Sequence, residues 1–134
     1  MRHAISYVST AASELTNTQV KTLFEQTVTK NNSLGISGFL ICSEMNFFQL
    51  IEGDKDIISN LFSIINDDPR HHNLITIVDK PVVCKPFDDK YYCSSITENT
   101  QFSTYQIENY LRYTQVLDLQ SQNAVKRILE AMII

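Results

Sequence analysis

Cysteine, glycine and proline are scarce in this chain of 134 residues, at three of each. The cysteines, Cys42, Cys84 and Cys93, are odd in number, widely spaced and free of any CxxC pair. That indicates neither a zinc site nor a disulfide framework, and points to reduced, mostly buried thiols. A nucleotide-binding glycine loop, catalytic-triad spacing and paired carboxylates are all missing. The net charge is -4 and no basic block occurs, which argues against nonspecific nucleic-acid binding. Apolar runs are too short to span a bilayer. The opening residues, Met1 to Tyr7, alternate in polarity where a signal peptide would place an apolar run. A cytoplasmic chain with neither membrane nor nucleic-acid partner is the expectation. No internal repeat, linker or low-complexity segment breaks the chain.

What is present suits one domain with a real core: 43% of the residues are hydrophobic. Residues 3–9 read as a strand, with His3, Ile5, Tyr7 and Ser9 on one face. A helix follows from Thr16, where Thr16-Asn17-Thr18-Gln19 fits a capping box and Leu15 and Val20 fit its hydrophobic staple. Asn31 and Asn32 fall in or just after its last turn, and Gly35 stops it. Residues 36–42 and 47–51 read as strands joined by a hairpin loop at 43–46. A second helix opens at Gly53-Asp54 and ends before Pro69. Residues 74–78 and 90–96 read as further strands, separated by a loop with Pro81 and Pro86. Two helices close the chain. One begins at a capping box at 103–106, and the other spans 118–132 with Leu117, Ala124, Val125, Ile128, Leu129 and Met132 on one side. The order βαββαββ predicts an α+β, ferredoxin-like mixed sheet with two helices on one face, plus two C-terminal helices.

In such a βαββ unit the first and third strands are neighbours and the first helix crosses over them. Tyr7, Asn31 and Gln49 therefore converge from three elements. Gln49 stands out as an amide among large apolar residues. Left unpaired in a core it would cost ~1–3 kcal/mol, so it needs partners. Carboxamides both donate and accept, which suits the mixed hydrogen-bonding edge of a flavin ring, and nearby apolar residues suit its faces. Singly, each residue has a plainer reading: Tyr7 as a core tyrosine, the asparagines as a helix cap, Arg70 as a solvated helix end. His71-His72 is a weak metal pair, because adjacent strand residues point apart.

Tyr7-Val8-Ser9, Asn31-Asn32, Gly35-Ile36-Ser37-Gly38, Phe47 to Gly53 and Asp68-Pro69-Arg70-His71, in this order and spacing, resemble the BLUF family, blue-light sensors that use FAD. The resemblance covers about residues 2–95. It implies a flavin-binding domain over 2–96 and a helical extension over 97–134. It implies Tyr7 as photochemical donor of an electron and a proton, and Gln49 as the residue that rotates or tautomerises. It implies Asn31 and Asn32 on the pyrimidine side of the ring, and Arg70, with His71 close by, at the far edge. Members carry R-x-F-x-x-W-x-M near the last strand. Counted from Phe87, Lys90 stands at the Trp position and Tyr92 at the Met position, so these two are the expected relay residues and the point of departure. The function implied is a photosensory module, not an enzyme, signalling to a response protein or through self-assembly. Tyr91 or Tyr92 is a candidate second electron donor. The alternatives are a small ferredoxin-like flavin enzyme and a flavin-free regulatory domain.

Overall fold

The computed structural model describes residues 1–83, 91–96 and 104–133, with side chains at 94–96, 104–107 and 133 left aside. Five strands, β1 (Arg2–Ala11), β2 (Ser37–Ser43), β3 (Asn46–Asp54), β4 (His71–Val82) and β5 (Tyr91–Ile96), form one sheet in the order β4-β1-β3-β2-β5. All neighbours are antiparallel except β2 and β5, which run parallel. Helices α1 (Asn17–Ser33) and α2 (Lys55–Asp67) pack on one face. Helices α3 (Thr104–Arg112) and α4 (Leu119–Ile133), linked by a 3-10 turn at Tyr113–Val116, serve the other. The predicted mixed sheet with two helices on one face is the observed one.

Strand alternation splits the sheet cleanly. Ile5, Ile51, Ile36 and Leu40 face α1 and α2. Ala4, Phe48, Leu50, Phe39 and Ile41 face Val116, Leu117, Val125 and Leu129. Phe39 is central to this second core, with edge-to-face contacts to Phe48, Tyr110 and Tyr113. The tail tyrosines 110 and 113 thus pack on the sheet. The buried carboxylate of Glu52 is held by both Arg2 nitrogens, at 2.6 and 2.7 Å, and by the Ser37 hydroxyl at 2.9 Å.

Two sequence expectations change. β4 is longer than 74–78 because β1 templates it along its whole length, from Arg2 opposite Val82 to Ala11 opposite His71. Pro81, expected in a loop, lies within it opposite His3. β4 is an edge strand, so the missing N–H of proline interrupts no ladder on the outer side. Ser103 of the expected capping box and residues Cys84, Phe87 and Lys90 lie outside the described residues, and α3 begins at Thr104.

Local chemistry sets the end of α1. Its capping box forms both ways: the Gln19 amide N–H donates to Thr16 Oγ1 at 3.2 Å, and the Thr16 N–H donates to Gln19 Oε1 at 2.8 Å. At the other end Gly35 adopts φ +69°. The Ile36 and Gly35 N–H groups then reach back to the carbonyls of Asn31 and Asn32 at 3.0 and 3.2 Å, a Schellman closure. The backbone alone caps this helix, so the two asparagine side chains are released for other work.

Candidate functional site

The α1/α2 face does not close completely. A cavity of about 250 Å³ opens between the helices, walled by Leu23, Leu40, Phe47, Leu61 and Ile65. Tyr7, Asn31, Gln49, Arg70 and His71 supply its polar lining, and Lys30 and Asp68 stand there too. A second recess of about 440 Å³, beside Leu15, Thr18 and Thr22, shares Leu23, Gln26 and Arg70 with the first.

Tyr7 and Gln49 are directly opposed across β1 and β3. A register shift in the β1–β4 ladder falls between Ser6 and Tyr7, the kind of bulge that re-aims a side chain. The Tyr7 ring sits against Phe62 of α2, centroids 5.9 Å apart, and against His71 at 6.0 Å. The Gln49 Nε2 donates to the Tyr7 hydroxyl at 2.5 Å. The hydroxyl of Tyr91 on β5 donates to Gln49 Oε1. The amide is therefore gripped between two phenols, with Tyr7, Gln49 and Tyr91 all at most 3% exposed. Burial pushes both phenols above their ordinary pKa, Tyr91 strongly. Each stays protonated at neutral pH and keeps its O–H for hydrogen bonding. Beside them, burial lifts the Cys93 thiol to about 12, so it is protonated and inert.

Asn31 lines the cavity at 2% exposure, and its Nδ2 has no hydrogen-bond partner among the described residues. Asn32 is placed differently. Its Oδ1 accepts from the Tyr91 N–H at 2.9 Å, and its Nδ2 donates to the Tyr91 carbonyl at 3.3 Å. This two-pronged clamp ties the end of α1 to β5, and Asn32 is not among the cavity-lining residues. His71 has both ring nitrogens engaged, Nδ1 with Ser9 Oγ at 2.7 Å and Nε2 with the Ile65 carbonyl at 2.6 Å. The Nε2 must carry a proton for that second bond. Arg70 holds Asp68 through Nε at 3.0 Å and Nη2 at 2.6 Å. The guanidinium bonds keep the Asp68 carboxyl below its usual range.

The relay position counted from Phe87 needs correction. Tyr92 is on the opposite side of β5 from Gln49: its ring meets Tyr113, centroids 6.3 Å apart, on the α3/α4 face. The register of Gly38 with Tyr91 and Leu40 with Cys93 turns Tyr91 and Cys93 toward Gln49 instead. Tyr91 is the site residue that a fixed gap from Phe87 passes over, and Lys90 lies outside the described residues. The period of two along β5 was the signal that could have found it, once β5 was paired with β2.

The lining combines an unpaired buried amide donor, a second amide, a neutral phenol and apolar walls. That donor set fits the edge and faces of a flavin ring. The family model BLUF, described as sensors of blue-light using FAD, matches residues 3–93. The photoactivated adenylate cyclase subunit beta of Euglena gracilis is 36% identical over 84 residues, which is 58% of this chain and 10% of that protein. The chain thus spans about a tenth of the curated relatives it matches. Among solved structures, Klebsiella pneumoniae BlrP1 with FMN and cyclic diGMP superposes with a TM-score of 0.75 at 27% identity, over 99% of this chain and 34% of that one. A structure of the BlrP1 BLUF portion superposes with a TM-score of 0.75 at 24% identity, over 99% and 90%. At that identity the likeness speaks for the fold alone, the C-terminal helices included.

Proposed function

The chain belongs to the BLUF family of blue-light flavin photoreceptors, and from that premise we propose that Tyr7 and Gln49 are its photochemical pair and Asn31 its principal flavin anchor. The observation that carries this is the Tyr7–Gln49–Tyr91 chain beside a cavity whose wall holds the unpaired Asn31 donor. A bound flavin would supply the group that absorbs blue light and accepts an electron. Tyr7 would be the donor of that electron together with its hydroxyl proton. Gln49 answers by turning its carboxamide, which it can do because both of its ends face hydroxyl groups. Asn31 fixes the ring edge. Arg70 and Lys30 supply positive charge at the cavity, and Asn32 acts through β5 by holding the Tyr91 backbone.

FAD is the favoured flavin, because the recess sharing Leu23, Gln26 and Arg70 offers room for an adenosine portion beyond the ring cavity. Residues 2–96 form the flavin-binding domain, and residues 97–134 are a helical extension that carries the signal outward. The output is contact with a response protein or a change in self-assembly, not catalysis by this chain. None of the helices among the described residues is long and apolar enough to cross a membrane, and a cytoplasmic location suits that reading.

The test is a visible spectrum of purified, FAD-loaded protein before and after blue light. A reversible red shift that Tyr7→Phe abolishes, with flavin still bound, is the expected result. A protein that stays colourless when supplied with FAD would sink the reading. Release of the flavin by heat and its identification by mass separates FAD from FMN.

A further inference from the structure

The mechanism above asks Gln49 to turn, and turning exchanges a carbonyl oxygen for an amide nitrogen at each end of the carboxamide. At 2% exposure neither end can fall back on bulk water. In the observed orientation Nε2 donates to Tyr7 and Oε1 accepts from Tyr91. After a half-turn Oε1 faces Tyr7 and Nε2 faces Tyr91. Tyr7 can then donate where it had accepted. The turned state therefore depends on what stands at the Tyr91 end.

A phenolic hydroxyl both donates and accepts, whereas an indole N–H only donates. We propose that Tyr91 is a positioning residue that pairs with Gln49 in both amide orientations, donating to Oε1 in one and accepting from Nε2 in the other, and so sets the lifetime of the turned state. This rests on the photochemical role given to Gln49.

Three observations support it. Tyr91 is fully buried and keeps its proton, so its hydroxyl can both donate and accept, with the Asn31 amide and the Cys93 thiol beside it. Its backbone is pinned by both polar atoms of the Asn32 side chain, so the ring has a fixed origin. Opposite it on β2 stands Gly38, at φ +133°, where an added Cβ would fall 1.9 Å from the Leu50 carbonyl oxygen. Position 38 admits no side chain, because its Cβ direction is filled by the β3 backbone.

The experiment uses the full chain loaded with FAD. Light-minus-dark infrared spectra are recorded with ring-13C-tyrosine in the wild type and in Tyr91→Phe, and dark recovery is timed in both and in Tyr91→Trp. The expected result is an isotope-sensitive tyrosine band in the wild type that Tyr91→Phe removes while the red shift persists. Tyr91→Trp, a donor that cannot accept, should return to the dark about tenfold faster, since it leaves a buried N–H unpaired in the turned state only. A tyrosine difference spectrum unchanged by Tyr91→Phe overturns the inference, and so does wild-type recovery in a folded Tyr91→Trp chain. Should Tyr91→Trp fail to fold, the infrared comparison decides alone. A wild type that binds flavin yet never shifts would remove the sensor reading and this inference together. A wild type that shifts normally beside indifferent Tyr91 variants removes only this one.

Discussion

The two faces of the sheet are built to different ends. The α3/α4 face is filled: Phe39, Phe48, Tyr110 and Tyr113 interlock as an aromatic cluster over Val125 and Leu129. The α1/α2 face keeps a cavity of about 250 Å³ and lines it with buried amides and a phenol. Close-packed apolar side chains are what a fold needs. An amide with an unpaired donor at 2% exposure, as at Asn31, is what a fold avoids. The contrast assigns stability to the filled face and ligand chemistry to the open one. It also predicts that the two can be damaged separately.

The largest separation should come from Phe39→Ala. Removing this fully buried ring should cost ~3–5 kcal/mol of stability in denaturant unfolding. The flavin spectrum of the fraction that remains folded should be unchanged, because Phe39 faces away from Tyr7 and Gln49. A shifted flavin band in folded Phe39→Ala would show that the two faces are not independent.

An alkaline titration probes the open face alone. Tyr7 and Tyr91 both have folded pKa values above the ordinary tyrosine value of 10.0. A raised folded pKa stabilises the native state fully below the unfolded value, and that contribution is lost as pH rises. Stability should therefore fall from about pH 9 upward, first through the raised Cys93 thiol and then through the two tyrosines, by ~1.4 kcal/mol per pH unit for each group. Tyr91→Phe should remove one of these contributions and flatten that slope, whereas Phe39→Ala should lower the curve without changing its shape.

Next in size is Asn31→Leu. Its donor has no partner among the described residues, so the flavin-free protein should lose no stability and gain up to ~1 kcal/mol, while flavin affinity falls about tenfold. Chemical denaturation without flavin and a fluorescence titration with it would check the two signs. A loss of stability in the flavin-free state would mean that Asn31 serves the fold after all.

Most of this organisation was legible in the sequence, because the strongest signals are local. Thr16-Asn17-Thr18-Gln19 announces its capping box, Gly35 its helix stop, and the alternation around Gln49 its buried amide. The BLUF resemblance supplied the register that joins Tyr7, Asn31 and Gln49. What stayed hidden depends on pairing between distant segments. The length of β4 is set by its ladder with β1 and not by its own residues, more than half of which are exposed. The inward turn of Tyr91 follows from its alignment with Gly38, 53 positions earlier, across a parallel ladder. Counting forward from Phe87 could not reveal that, and it put Tyr92 in a place that geometry gives to its neighbour. Nor could spacing show that Asn32 bonds to backbone while Asn31 faces the cavity.

The smallest effect tests whether the open face is held locally. Thr16 caps the end of α1 remote from Asn31 and Asn32, so Thr16→Ala should cost ~1 kcal/mol through the lost capping box. Fraying at that end begins beside the recess lined by Leu15, Thr18 and Gln19, but it has to run along the helix to reach Asn31 and Asn32. The C-terminal turn has its own restraints, in the Gly35 closure and the clamp of Asn32 on Tyr91. Red shift and dark recovery should therefore match the wild type in Thr16→Ala, even though its unfolding midpoint drops. If recovery accelerates along with the midpoint, α1 transmits strain along its length, and the cavity wall depends on the helix as a whole rather than on its last turn.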